Sequence, residues 1–167
     1  MVPNVQGETP AATGESGGLA RLVGSGDRIG LLMAPFLIVG VLLNLRYPSF
    51  FAVGGPPTAL SVASVIVLVP GLVAWIWSVV FILRHVPRDE LITNGPYAVV
   101  KHPLYTSVAL LVLPWAGFLL DTWLGLALGL VLYAGSRLFA PAEEEALSRA
   151  FPEQWEAYCA RVAAPWL

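Results

Sequence analysis

Charge is scarce in this chain. Only 12% of its 167 residues are Asp, Glu, Lys or Arg, against roughly 25% in a soluble domain. Hydrophobic residues make up 57%, and the mean hydropathy is +0.74. A soluble fold of this size could not hide so much apolar surface, so lipid must solvate part of it. The net charge is -2 and there is no basic stripe, which argues against nucleic acid as a partner. Cysteine occurs once, at Cys159, so an intrachain disulfide is impossible. Only His85 and His102 accompany it, which excludes a Cys/His metal cage, and nothing suggests a carboxylate-only metal site. Neither Lys nor Arg precedes Arg21, so the basic start of a signal peptide is missing. Residues 1–26 are instead rich in Gly, Pro, Ala, Ser and Thr, and read as a disordered tail.

What remains, residues 27–167, reads as a single all-α membrane domain with four apolar segments. They run from about 29 to 45, 60 to 83, 104 to 120 and 122 to 139, each near the roughly 20 residues a spanning helix needs. Pro70-Gly71 and Pro114 fall inside the second and third, and the first of these is expected to kink its helix. Only Asp121 joins the third to the fourth. A tight antiparallel hairpin is expected there, with Asp121 as N-cap of the fourth helix. Gly125 and Gly129 have GxxxG spacing, which allows close helix approach. Packing within the chain is preferred to a dimer interface, so the protein is expected to be a monomer or a weak homodimer.

The basic residues orient these spans. Arg21 and Arg28 precede the first; Arg84, Arg88 and Lys101 lie between the second and third; Arg137, Arg149 and Arg161 lie at or after the end of the fourth. Arg46 alone falls in the other loops. The positive-inside rule then places both termini and the middle loop in the cytoplasm, the protein being multi-pass in the cell (inner) membrane. Beyond Pro141, the residues Leu147, Phe151, Trp155, Tyr158 and Val162 recur at spacings of three and four. They predict a C-terminal amphipathic helical segment over 141–162, begun at Pro141 and divided near Pro152. It is expected to cap the cytoplasmic end of the bundle rather than lie on the membrane surface.

Two polar clusters face that side. In the first, Asn94-Gly95-Pro96 is turn chemistry, and Lys101, His102 and Tyr105 flank Pro103 at the start of the third helix. Such a helix start favours anions. An anion-binding site and an ordinary interfacial Lys with Tyr neighbours are both open readings. The second cluster is Glu143-Glu144-Glu145. It suits a ribose diol or a cation, or is simply the acidic start of a helix.

The two clusters together resemble the isoprenylcysteine carboxyl methyltransferase and phospholipid methyltransferase superfamily. Gly95-Pro96-Tyr97 followed by Lys101-His102-Pro103-Leu104-Tyr105 is similar to its GPY…RHPxY motif. A helical hairpin follows, then Glu143-Glu144-Glu145-Ala146-Leu147 for EExxL, then Phe151-Pro152-Glu153-Gln154-Trp155-Glu156-Ala157-Tyr158 for FGxxYxxY. The likeness covers roughly the C-terminal half. Lys101 stands where Arg is usual, keeping the charge without the planar fork. Pro152 and Trp155 replace Gly and Tyr.

The resemblance implies an integral membrane methyltransferase dependent on S-adenosyl-L-methionine. By this likeness Gly95, Pro96, Tyr97, Lys101, His102, Pro103, Tyr105 and Leu147 line the cofactor pocket, and Glu143 and Glu144 contact the ribose or amino group. Arg137 would hold an acceptor carboxylate or pair with Glu144. His102 would take a proton from an amine acceptor or hold the cofactor carboxylate. The acceptor would be a lipophilic small molecule or membrane lipid, entering laterally between helices. The segment Trp155-Glu156-Ala157-Tyr158-Cys159-Ala160-Arg161-Val162 also resembles the end of sterol reductases. An NADPH-dependent membrane reductase and a non-catalytic membrane subunit are therefore the alternatives.

Overall fold

The computed structural model describes residues 26–55 and 57–164; the expected N-terminal tail falls, but for Gly26, outside them. Helices joined by short loops make up the described chain, and the one β pairing among the described residues is an isolated parallel bridge between Val100 and Ala164. Helix α1 is Gly26–Arg46, α2 the single turn Pro48–Phe51, and α3 Thr58–His85. A 3-10 turn, Val86–Arg88, follows α3, and another, Gly95–Ala98, lies in the next loop. Helix α4 is Pro103–Leu119, widened into a π turn at Val108–Val112. Helix α5 is Leu124–Ala150 and α6 is Pro152–Cys159.

Three helical stretches are long and apolar enough to cross a membrane: α1, Thr58–Arg88 and α5, with mean hydropathies of 2.0, 2.6 and 1.4. Their surfaces differ. Only 11% of the apolar window is buried in the first two, against 44% in α5, so α5 is the central helix. The helices stand in the order α3, α4, α5, α1, each packed on the next. Leu31 at 78% exposure and Leu138 at 72% point outward, which only a lipid environment makes cheap.

The α4–α5 contact depends on the absence of side chains. A Cβ on Gly117 would meet the Thr122 carbonyl and the Gly125 Cα. One on Gly125 would strike the Leu113 carbonyl, and one on Gly129 the Ala109 carbonyl. The GxxxG pair therefore packs inside the chain, as expected. Ala109, 1% exposed, clusters with Ile29 and Leu132 where α4, α1 and α5 meet.

Two sequence expectations are corrected here. Asp121 does not cap α5; its N-cap residue is Trp123. Asp121 adopts a left-handed conformation, φ 53°, which turns its carboxylate toward the connection between α1 and α3. There Oδ1 accepts from the backbone N–H groups of Val53 and Gly55 at 3.1 and 2.9 Å. Trp123 completes the tie, donating from its backbone N–H to Phe51 O at 3.0 Å and from Nε1 to Phe50 O at 3.0 Å. Thr122 Oγ1 serves the helix start instead, accepting from Leu124 N–H at 3.2 Å. Pro141 does not begin a new helix either: α5 runs unbroken through it to Ala150. Pro141 withholds one N–H from the helix ladder, but it sits on an exposed face where solvent can serve the freed carbonyl. The break expected near Pro152 is present, with Phe151 at φ -135°, ψ 62° between α5 and α6.

Replacing Gly125 with Ala is expected to lower stability by about 1–3 kcal/mol, the usual cost of overpacking. Gly30→Ala, with open space around it, should be neutral or stabilise by up to about 1 kcal/mol. Thermal unfolding of the two variants in the same detergent measures the difference.

Candidate functional site

The loop between α3 and α4 and the far end of α5 meet at the same end of the bundle, and α6 folds back over them. Phe151 turns the chain after α5, and Tyr158 OH then donates to the Tyr97 carbonyl at 2.8 Å. Beyond α6, Ala163 N–H and Ala164 N–H donate to Ala98 O and Val99 O at 3.3 and 2.8 Å. The second half of the first motif and the end of the last are thus stitched together by backbone and by one phenol. Tyr158 is 3% exposed; burial, then the neighbouring Cys159 and Glu144, push its phenol up to about 12. Burial likewise raises Tyr97, with the Glu143 carboxylate adding to it. Both phenols stay neutral donors at physiological pH.

Glu144 stands beyond the apolar part of α5 and organises the polar end. Lys101 Nζ lies 2.8 Å from its Oε2, and His102 Nε2 lies 3.3 Å from its Oε1. Burial alone would raise the Glu144 carboxyl, but the hydrogen bonds from Lys101 and His102 outweigh it and hold the group below its ordinary value. A carboxylate only accepts, so His102 donates from Nε2, and in the neutral ring Nδ1 then carries the lone pair. Lys101 is held from a second direction, with Nζ 5.4 Å from the Trp155 ring centroid.

Above these groups is a cavity of about 710 Å³, within the range of roughly 300–1,000 Å³ typical of small-molecule sites. Tyr97, Lys101, His102, Tyr105, Glu143 and Leu147, all expected in a site, line it. The remaining expected residues do not. Gly95 has φ 60°, and a Cβ there would lie 2.9 Å from the Phe81 ring. It and Pro96 shape the loop against α3 instead of forming the cavity wall. Pro103 is buried at the first turn of α4. Glu144 acts through Lys101 and His102. Arg137 is exposed on α5 and away from the lining; the pairing with Glu144 expected as one of its roles is taken by Lys101 and His102.

Several lining residues had not been singled out for the site. Arg28 reaches it from the start of α1, Asp89 and Glu90 from the end of the α3 turn, and Ile82, Val86 and Phe139 supply apolar wall. Asp89-Glu90 was the available signal, an acidic pair in a charge-poor chain. Phe151, Trp155 and Tyr158 also line the cavity, so the apolar face of the C-terminal segment covers a site as well as a core. No group of His, Cys, Asp and Glu among the described residues has the arrangement of a metal site. Comparisons with known protein families, with curated proteins and with solved structures find no match. The functional reading therefore rests on the chemistry of the cavity.

The Glu144 clamp gives a testable pH dependence. The Glu144 pKa is lower in the folded protein than its ordinary 4.5, so the clamp stabilises fully above that pH and is lost as pH falls through the depressed value. Glu144→Gln is expected to cost up to about 1 kcal/mol at neutral pH, because water still reaches the pair. The gap between wild type and variant should close in acid, as read from thermal unfolding at pH 7 and below pH 4.

Proposed function

We propose that this protein is a membrane methyltransferase, similar to the isoprenylcysteine carboxyl methyltransferases, that uses S-adenosyl-L-methionine to methylate a lipophilic acceptor at the cytoplasmic interface. One observation carries the reading. Three sequence pieces that resemble the family's motifs, separated by a helical hairpin, supply side chains to a single cavity: Tyr97 to Tyr105, Glu143 to Leu147, and Phe151 to Tyr158.

Four spans suit this geometry. The loops around Phe51 and Asp121 are hydrogen-bonded to each other, so they lie on one side, and the cavity lies at the other ends of α3, α4 and α5. Helix α4 has only 17 residues, about 25 Å at 1.5 Å per residue, which is near the lower limit for a span. The positive-inside rule puts the cavity, with Arg28 and Lys101, in the cytoplasmic leaflet.

The lining fits the cofactor. Asp89, Glu90 and Glu143 would meet its ammonium, sulfonium or ribose diol, and the rings of Phe151, Trp155 and Tyr97 would flank the adenine. Bound there, S-adenosyl-L-methionine supplies an electrophilic methyl on a sulfonium. The chain supplies position and dryness: α6 covers the cavity, held by the Tyr158–Tyr97 hydrogen bond. His102 is the available base, with Nδ1 able to take a proton from an amine or phenol while Glu144 steadies the imidazolium through Nε2. A carboxylate acceptor needs no such step.

The test is binding followed by turnover. S-adenosylhomocysteine at a hundredfold excess over Kd should stabilise the purified protein by about 2.7 kcal/mol. Labelled cofactor incubated with membranes should pass its methyl to a lipid-extractable product. For an amine acceptor, His102→Ala should lower the rate by about 100-fold or more while leaving cofactor binding within a few-fold. No stabilisation at millimolar ligand and no labelled product overturn the proposal.

A further inference from the structure

The amino-acid end of S-adenosyl-L-methionine carries an ammonium and a carboxylate, and a site must answer both. The acidic lining, Asp89, Glu90 and Glu143, suits the ammonium and repels the carboxylate. Three lining side chains can carry positive charge: Lys101, His102 and Arg28. They are not equally available. His102 donates from Nε2 to Glu144 Oε1 at 3.3 Å, so in the neutral ring Nδ1 carries a lone pair, which a carboxylate avoids. Lys101 Nζ is 2.8 Å from Glu144 Oε2 and lies against the Trp155 ring. A second carboxylate there would stand beside the first, where like charges repel.

Arg28 differs from both. It lines the cavity from the first turn of α1, is exposed, and has no ion pair or hydrogen bond among the described residues. Asp27 beside it is exposed and outside the lining. The backbone that presents the guanidinium is held in place. Ile29 is 3% exposed and clusters with Ala109 of α4 and Leu132 of α5. A Cβ on Gly26 would lie 3.4 Å from the Tyr105 hydroxyl, and one on Gly135 would lie 2.8 Å from Leu32 Cδ2. The start of α1 is thus seated on α4 and α5, the helices that carry Tyr105 and Glu143 to the cavity.

Resting on the methyltransferase reading, we infer that Arg28 binds the carboxylate of the cofactor's amino-acid end, a contact made from outside the part of the chain that resembles the family. A guanidinium is suited to this, because its planar fork matches a carboxylate with two hydrogen bonds. The cofactor's two charges are then sorted, the ammonium to the acidic lining and the carboxylate to α1. The Nδ1 lone pair of His102 is left for the acceptor's proton, so the two roles that the likeness offered to His102 fall to two residues.

The experiment uses the full-length protein in uncharged detergent and titration calorimetry with two ligands: S-adenosylhomocysteine, and its decarboxylated analogue, which keeps the adenosine, the thioether and the amine. The wild type should bind S-adenosylhomocysteine about tenfold or more tightly than the analogue. Arg28→Gln should lose that preference by weakening S-adenosylhomocysteine alone, with the analogue held within a few-fold. Arg28→Lys should keep part of the preference. His102→Ala should keep it, and so should Arg84→Gln, at an exposed position outside the lining. No preference in the wild type, an unchanged preference in Arg28→Gln, or equal weakening of both ligands by Arg28→Gln overturns the inference and leaves the methyltransferase reading standing. Loss of the preference in His102→Ala also overturns it, returning the carboxylate to His102. Should neither ligand bind the wild type at millimolar concentration, the methyltransferase reading itself fails, and the inference with it.

Discussion

The backbone contact between α4 and α5 determines the rest of the molecule. Gly117, Gly125 and Gly129 let the two helices touch through carbonyls and Cα atoms, closer than any side chain would allow. Where one helix is pinned to another at that separation, their relative height is fixed too. From the turn at Asp121, roughly five helical turns run back along α4 toward Lys101 and roughly six run forward along α5 to Glu144. The 2.8 Å ion pair between them depends on packing some tens of ångströms away. Any change that spread the glycine contact would move the clamp, and the orientation of His102 with it.

The opposite end is built differently because its task is closure. Asp121 ties two loops together through backbone donors, and Trp123 stacks on Phe51 at 4.8 Å. These contacts hold α1 near α5 at the level of the loops. The other end is tied by different means: Lys101 to Glu144, Tyr158 to the Tyr97 carbonyl, and Ala163 and Ala164 to the loop before α4, with the cavity between these ties.

Much of this was legible in the sequence. Three of the expected spans were visible as long apolar helices because a lipid-facing helix needs an unbroken apolar run. The hairpin was visible because a single polar residue cannot separate two helices by more than a turn. The clusters around His102 and Glu144 stood out because polar residues are rare here, so each one left in the chain has a reason. What the sequence concealed was partner choice. Asp121 looked like a helix cap because capping is the local use of an aspartate before a helix; its left-handed backbone and the distant N–H groups of Val53 and Gly55 are tertiary facts. Pro141 looked like a helix start for the same local reason, although an exposed position tolerates a missing donor. Arg137 and Arg28 were alike as charges in a topology count, and only the rotation of each helix about its axis sends one outward and the other to the cavity.

That difference bears on how charge is used in so apolar a chain. An ionised group near lipid is costly unless it is paired or reaches water. Lys101 meets the requirement through Glu144, which also accepts a hydrogen bond from His102 and so fixes the geometry of both. Arg28 meets it by exposure at the interface, which leaves its donors available. A site assembled this way has a rigid half and a receptive half. The rigid half, made of α4, α5 and α6, fixes Lys101, His102 and Tyr158 by hydrogen bonds. The other half, made of the start of α1 and the end of α3, lines the cavity through Arg28, Ile82 and Val86.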